Sequence, residues 1–233
     1  MGATFLSKYL NARFTREVSK SDSTEQKRVV VTLSRDTGCD AVQIVEETIK
    51  QLNNALKGEN KNHGWQFVSK EIFEKSAREL NVKLDIFDKL ESTSDKGLIE
   101  DLLQSFSNEK YPSEYKIKKT YKEVIQSVAR NGNVIILGRA GVAIVKHNRR
   151  NLHIKLTAPL DWRVQKVAKE NNITEAKALK HIKESDEKRQ KFKKYYMGRK
   201  VDITDYDLVL NVSSLTKREI CSALVSMIQE KSK

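Results

Sequence analysis

Five short apolar runs, set apart by longer stretches of helical periodicity, constrain this chain more than any other feature of its sequence. The first, Arg28–Ser34 (RVVVTLS), is rich in β-branched residues and lacks polar–apolar alternation. Such a strand is covered on both faces, because a half-exposed strand shows a polar residue at every second position. Trp65–Val68, Asn133–Leu137 (NVIIL), Leu152–Thr157 and Asp207–Asn211 (DLVLN) are the other candidate strands. Between the first two, Val42, Ile44, Val45, Ile49 and Leu52 form an approximate helical stripe, with Asp40 standing where an N-cap belongs. Further helices are expected over Lys70–Leu80, Lys83–Leu90, Lys96–Phe106, Tyr115–Arg130, Asp161–Glu170, Glu175 to about Arg189, and Lys217–Gln229. Pro159 suits a helix start, and Thr174 with Lys177 makes half a capping box. Strands alternating with helices pair in parallel through right-handed crossovers, so the expected fold is a three-layer α/β/α sandwich around a parallel sheet.

At 233 residues the chain can bury a core of one large domain. Residues 1–27 are polar and read as an extension, partly helical around Phe5–Phe14, ahead of an α/β domain at 28–233. Apolar runs fall short of the roughly 18–20 residues that span a bilayer, and the extension lacks the apolar stretch of a secretory signal. Gly2 does not make a myristoylation motif, because Leu6 stands where the hydroxyl residue is required and Ser7 comes one place late. Cys39 and Cys221 lack metal-ligand spacing and fit a reducing, cytoplasmic setting better than a disulfide framework. A formal charge of +13 attracts polyanions, whether nucleotides, nucleic acid or acidic membranes, without choosing among them.

The strand–turn–helix over Val29–Leu56 is where an α/β protein holds phosphate, since ligands lie beyond the carboxyl ends of parallel strands and a helix N-terminus offers unpaired amides. A Walker A loop uses glycines for close backbone approach, a lysine for the β- and γ-phosphates and a hydroxyl for magnesium. Here the turn reads Arg35-Asp36-Thr37-Gly38-Cys39-Asp40-Ala41, and only Gly38 matches. On spacing alone it is an ordinary βα turn.

Read together, the segments resemble the cytidylate kinase-like family, a nucleoside monophosphate kinase branch of the P-loop kinases. VVVTLSRDTGCDAVQI is similar to its opening strand and Ser-Arg-acid-aromatic-Gly-Ser-Gly-Gly turn, with Ser34, Arg35, Asp36 and Gly38 on the pattern. FVSKEIFEKSAREL, GNVIILGRAGVAIV, LHIKLTAPLDWRVQKV, HIKESDEKRQKFKKYYMGRK and DYDLVLNVSSL resemble later family segments in the same order, over roughly residues 28 to 230. The resemblance implies a P-loop kinase fold with a helical lid, a donor site for ATP with Mg²⁺, and an acceptor site for a nucleoside monophosphate. It further implies that Ser34, Arg35 and Gly38 meet the donor phosphates, that Arg139 grips the acceptor phosphate, and that Asp186, Arg189 and Lys193 act from the lid.

Phosphoryl transfer is mostly positioning and charge neutralisation, so cations should ring the phosphates. Lys183–Lys200 crowds Lys188, Arg189, Lys191, Lys193, Lys194, Arg199 and Lys200 into one segment, read either as a closing lid or as a solvated basic face. Against transfer stand Asp40 and Ala41 where the family has glycines, Ser69 where relatives often carry an acid, and a strand ending in Gly138-Arg139 without an acidic magnesium ligand. Asp40 in particular would cap its own helix with the amides a phosphate needs. His63, His147, His153 and His181 are scattered and suggest neither a metal site nor a general base. Cys39, near a helix N-terminus, is placed for a lowered pKa. Trp162, Tyr195 and Tyr196 could stack bases or pack in the core. Three functions remain: a kinase, an inactive kinase-fold protein that binds a nucleotide or a protein partner, and a basic nucleic-acid-binding protein.

Overall fold

The doubly covered first strand becomes the centre of a five-stranded parallel sheet. A computed structural model describes residues 29–56, 64–69, 114–130 and 132–233. The extension at 1–27, the helices expected between Lys70 and Phe106, and His63 lie outside the described residues. The strands are β1 (Val30–Arg35), β2 (Gln66–Val68), β3 (Val134–Leu137), β4 (Asn151–Thr157) and β5 (Leu208–Asn211), in the order β2-β3-β1-β4-β5. The described helices are α1 (Ala41–Asn54), α2 (Glu114–Arg130), α3 (Gly141–Ile144), α4 (Leu160–Asn171), α5 (Glu175–Met197) and α6 (Lys217–Lys231), with a 3₁₀ turn at Ile203–Asp205.

Alternation along β1 divides the core. Val29, Val31 and Leu33 pack with Ile44, Val45 and Leu52 of α1 and Ile220, Leu224 and Ile228 of α6. Val30 faces the other way, into Tyr121, Ile125 and Val128 of α2, Ile144 of α3 and Phe192 of α5. Two apolar layers on one sheet are the expected three-layer sandwich. A third cluster lies apart, where Val164, Val167 and Ala168 of α4 meet Ala178 and Ile182 of α5. The α4–α5 hairpin therefore carries a small core of its own.

β1 pairs with β3 on one side and β4 on the other, so the connection from β3 to β4 passes over it. Strand order reverses there, and a crevice opens beyond the carboxyl ends. Most expected boundaries fall within a residue or two. The exception is α5, which runs to Met197, past the anticipated end near Arg189, until Gly198 turns it off at φ 82°. The half capping box is real, with Thr174 accepting from the Lys177 amide; the reciprocal box of Thr216 and Glu219 at the start of α6 was not anticipated.

His153 is buried inside β4, its Nδ1 2.8 Å from the Thr32 hydroxyl of β1 and its ring stacked on His147 at 4.0 Å. Burial, and then the neighbouring His147, push its pKa down to about 4. The unfolded chain takes up this proton near pH 6.5, so stability is lost as pH falls through that value. We expect urea unfolding to show about 2 kcal/mol less stability from this group at pH 5 than at pH 7, and His153→Gln to flatten that slope.

Candidate functional site

The polar end of β1 gathers a network of charges. Ser34 lies in register with Lys155 of β4, whose Nζ is 3.2 Å from Asp36 Oδ1. The Thr157 hydroxyl donates to the other Asp36 oxygen at 2.6 Å. Next along the turn, Thr37 donates its amide at 2.8 Å and its hydroxyl at 2.7 Å to Asp186 Oδ1, across from the middle of α5. Arg189, one turn along α5, donates to the Thr37 hydroxyl at 2.6 Å and to Asp186 Oδ1 at 3.2 Å. Arg163 reaches in from α4, donating Nη1 to Asp186 Oδ2 at 2.7 Å and to the Thr37 carbonyl at 3.2 Å. Its Nε donates to the Ala158 carbonyl at 3.1 Å, which ties the guanidinium to the end of β4.

Burial alone would raise the Asp186 carboxyl, but the Thr37 and Arg163 hydrogen bonds outweigh it and hold the group below the usual carboxylate range. Lys193, a further turn along α5, donates to the Tyr206 hydroxyl at 3.2 Å, and that tyrosine also bonds the Ser34 side chain. Burial pushes Lys193 down to about 8, with repulsion from Lys155 and Arg189 adding to it, while Asp36 and Asp186 pull the other way. Four cations, Lys155, Arg163, Arg189 and Lys193, thus face two carboxylates, Asp36 and Asp186. An anion arriving here neutralises that excess.

A second part of the site lies at the end of β3. Gly138 has φ 75°, and a Cβ on it would sit 2.3 Å from Arg35 Nη1, so the Arg35 guanidinium crosses directly over this glycine. Arg139 and Ala140 continue with φ 54° and 52°. Arg139 is buried, 4% exposed, and its carbonyl accepts from the Tyr121 hydroxyl at 3.4 Å. It is thus not a surface residue. Gly38, at φ 92°, backs onto α4, where a Cβ would meet Val167 Cγ2 at 3.1 Å.

The structure thus brings Ser34, Asp186, Arg189 and Lys193 together and sets Arg35 over Gly138 at the turn that carries Arg139. Two expectations fail. Asp40 does not cap α1: its backbone, at φ 5° and ψ 45°, lacks the extended N-cap conformation, and its carboxylate pairs with Lys166 of α4. Cys39 is not activated, because burial, and then the Asp36 charge, push its thiol up to about 11. Of the aromatics, Tyr196 stacks on Tyr121 and meets Phe192 edge-on, which packs it against the core.

Sequence reasoning missed Thr37, Lys155, Arg163 and Tyr206 as members of the site. Two of them left a signal. Lys155 stands between the buried Ile154 and Leu156 near the carboxyl end of a strand, and Arg163 comes one helical turn after Pro159, pointing back along its helix. The carboxylates do not make a magnesium cage. Among the described residues no three His, Cys, Asp or Glu side chains form a group that could hold a metal ion, and Asp36 and Asp186 are already bonded to cations. The donors suit oxyanions instead.

The model of the cytidylate kinase-like family matches residues 30–214, most of the chain and all of this site. The chain belongs to the cytidylate kinase-like family. Family relatives agree. A cytidylate kinase of Sulfolobus acidocaldarius is 32% identical over 115 residues, 49% of this chain and 63% of the relative. One from Methanocaldococcus jannaschii is 33% identical over 116 residues, 48% of this chain and 64% of the relative. The matches thus span less than two thirds of these relatives. An uncharacterized protein of Eubacterium ventriosum shares the fold at TM-score 0.60 and 15% identity, covering 87% of this chain and 99% of its own.

Because Arg163 is the buried cation on Asp186, Arg163→Ala leaves a half-buried carboxylate without its closest charged partner. We expect a loss of about 1–3 kcal/mol in urea unfolding at pH 7, and a smaller loss at pH 3, where Asp186 is closer to neutral in the variant.

Proposed function

We propose that the protein transfers a phosphoryl group from ATP to a small phosphorylated acceptor of the cytidine monophosphate class. The observation that carries this reading is the half-buried excess of cations at the carboxyl ends of β1 and β4, in which Lys193 is charged at a cost that a phosphate would remove. Family membership and the cytidylate kinase relatives support the choice of reaction and acceptor. In this reading Ser34, Arg35 and Gly38 line the donor phosphates and the buried Arg139 fixes the acceptor phosphate. An acceptor phosphate oxygen attacks the γ-phosphorus, the bond to the β-bridging oxygen breaks, and two nucleoside diphosphates result. Arg189 and Lys193 lie against the charge that develops on the transferring group, where desolvated cations act most strongly. Before the ligand arrives, Asp186 holds Arg163 and Arg189 at the turn. Magnesium would come with ATP on its phosphates, since the described residues form no protein cage for it, and would supply charge neutralisation there. The working unit is taken as residues 28–233, acting in the cytoplasm.

A second reading, a family member that binds nucleotide without transfer, has its own support. Asp40 and Ala41 replace glycines of the family turn, and the Thr37 amide already holds a carboxylate.

A coupled assay for nucleoside diphosphate with ATP and CMP, dCMP, UMP or AMP separates the two. We expect turnover with the cytidine acceptors, and a fall in kcat of about 100-fold or more for Arg189→Ala or Lys193→Met at unchanged melting temperature. A bound phosphate raises the Lys193 pKa, so ATP binding takes up a proton and ATP affinity should decline as pH rises through about 8. ATP-dependent thermal stabilisation without any turnover would establish the second reading instead.

A further inference from the structure

The α4–α5 hairpin meets the β1–α1 turn chiefly through charge. Its apolar residues Val164, Val167, Ala168, Ala178 and Ile182 pack on one another. Across to the turn run the Arg163, Asp186 and Arg189 contacts with Thr37 and the Lys166–Asp40 pair, with Val167 lying close to Gly38. At the middle of these contacts one carboxylate, that of Asp186, accepts from a backbone amide, a hydroxyl and two guanidinium groups. A main-chain amide on the turn after β1, a threonine hydroxyl and two arginines are the donors a tetrahedral phosphoryl oxyanion takes. Asp186 is the anion already in that seat. Its side chain keeps 27% of its surface open to solvent and Arg189 keeps 37%, so the seat can be reached from outside.

We propose that Asp186 is a latch: its carboxylate stands in for a phosphoryl group, holds the hairpin against the β1–α1 turn in the empty protein, and is displaced when a polyphosphate takes the Thr37, Arg163 and Arg189 donors. The proposal rests on the phosphate-binding reading above and adds its regulation. Displacement is an exchange of one anion for another, so affinity is lowered by whatever the latch contributes to the closed state. Removing the Asp186 charge while keeping the side-chain shape frees the donors before the ligand arrives. The charge on the neighbouring Glu184 faces solvent beside Lys180 and takes no part.

The test compares the full chain with Asp186→Asn and Glu184→Gln, using inorganic pyrophosphate titrated calorimetrically and exchange of the Thr37 amide followed by NMR. We expect Asp186→Asn to bind pyrophosphate at least fivefold tighter than wild type and to exchange the Thr37 amide at least tenfold faster when empty. Glu184→Gln should stay within twofold of wild type in both. Equal gains in the two variants would reveal a bulk charge effect and overturn the latch, as would unchanged or weaker binding in Asp186→Asn, or no binding by any of the proteins. If Asp186→Asn does not fold, the wild type decides. Pyrophosphate must shift both the Thr37 amide and the Asp186 side-chain carboxyl resonance, and an unmoved pair overturns the proposal. A chain that turns over no monophosphate yet gains pyrophosphate affinity in Asp186→Asn keeps the latch and loses the transferase reading.

Discussion

Covering β1 on both faces leaves its polar residues few places to go. Val30, Val31 and Leu33 are buried between two helical layers, and Thr32 remains only because His153 of the adjacent strand meets its hydroxyl. Ser34 and Arg35 therefore fall at the carboxyl end, just where β1, flanked by β3 and β4, opens the crevice of a parallel sheet. Everything charged in the site is positioned from that end: Lys155 by strand register, Arg163 by the helix that follows Pro159, and Asp186, Arg189 and Lys193 by successive turns of α5. Apolar burial sets the frame, and electrostatics acts at its rim.

At the rim, cations outnumber carboxylates and solvent is only partly admitted. In water such charges would screen one another and matter little, but partial burial makes each uncompensated cation costly, as the depressed Lys193 pKa reports. A negatively charged ligand of the kind proposed would relieve that cost. The turn after β1 has neither a Walker lysine nor a helix-start hydroxyl, and the arginines of α4 and α5 reach Thr37 instead. In the proposed phosphate site, the charge that a P-loop draws from its own residues comes from the opposite hairpin.

Much of the frame was legible in the sequence. Continuous β-branched and aliphatic runs marked the strands, because a covered strand has no polar face to hide, and the series of family-like segments fixed their order. The extent of α5 was not legible, since its charged residues leave no apolar stripe to mark an end, and it is Gly198 that stops the helix. Ser34, Arg35, Asp186, Arg189 and Lys193 could be chosen from their segments. Their partners could not, because Thr37 lies 149 residues from Asp186 and 126 from Arg163. Asp40 shows the limit most clearly. Local rules made it the cap of its own helix, and a lysine distant in sequence drew its carboxylate away.

If this rim is an anion seat, an electron-dense phosphate mimic locates it directly. Crystals of the protein grown with tungstate should show the anion within hydrogen-bond reach of Thr37, Arg163, Arg189 or Lys193, with Asp186 turned aside. Tungstate found only on the solvent-exposed lysines of α5, with Asp186 still bonded to Thr37, would mean that the rim is not an anion seat.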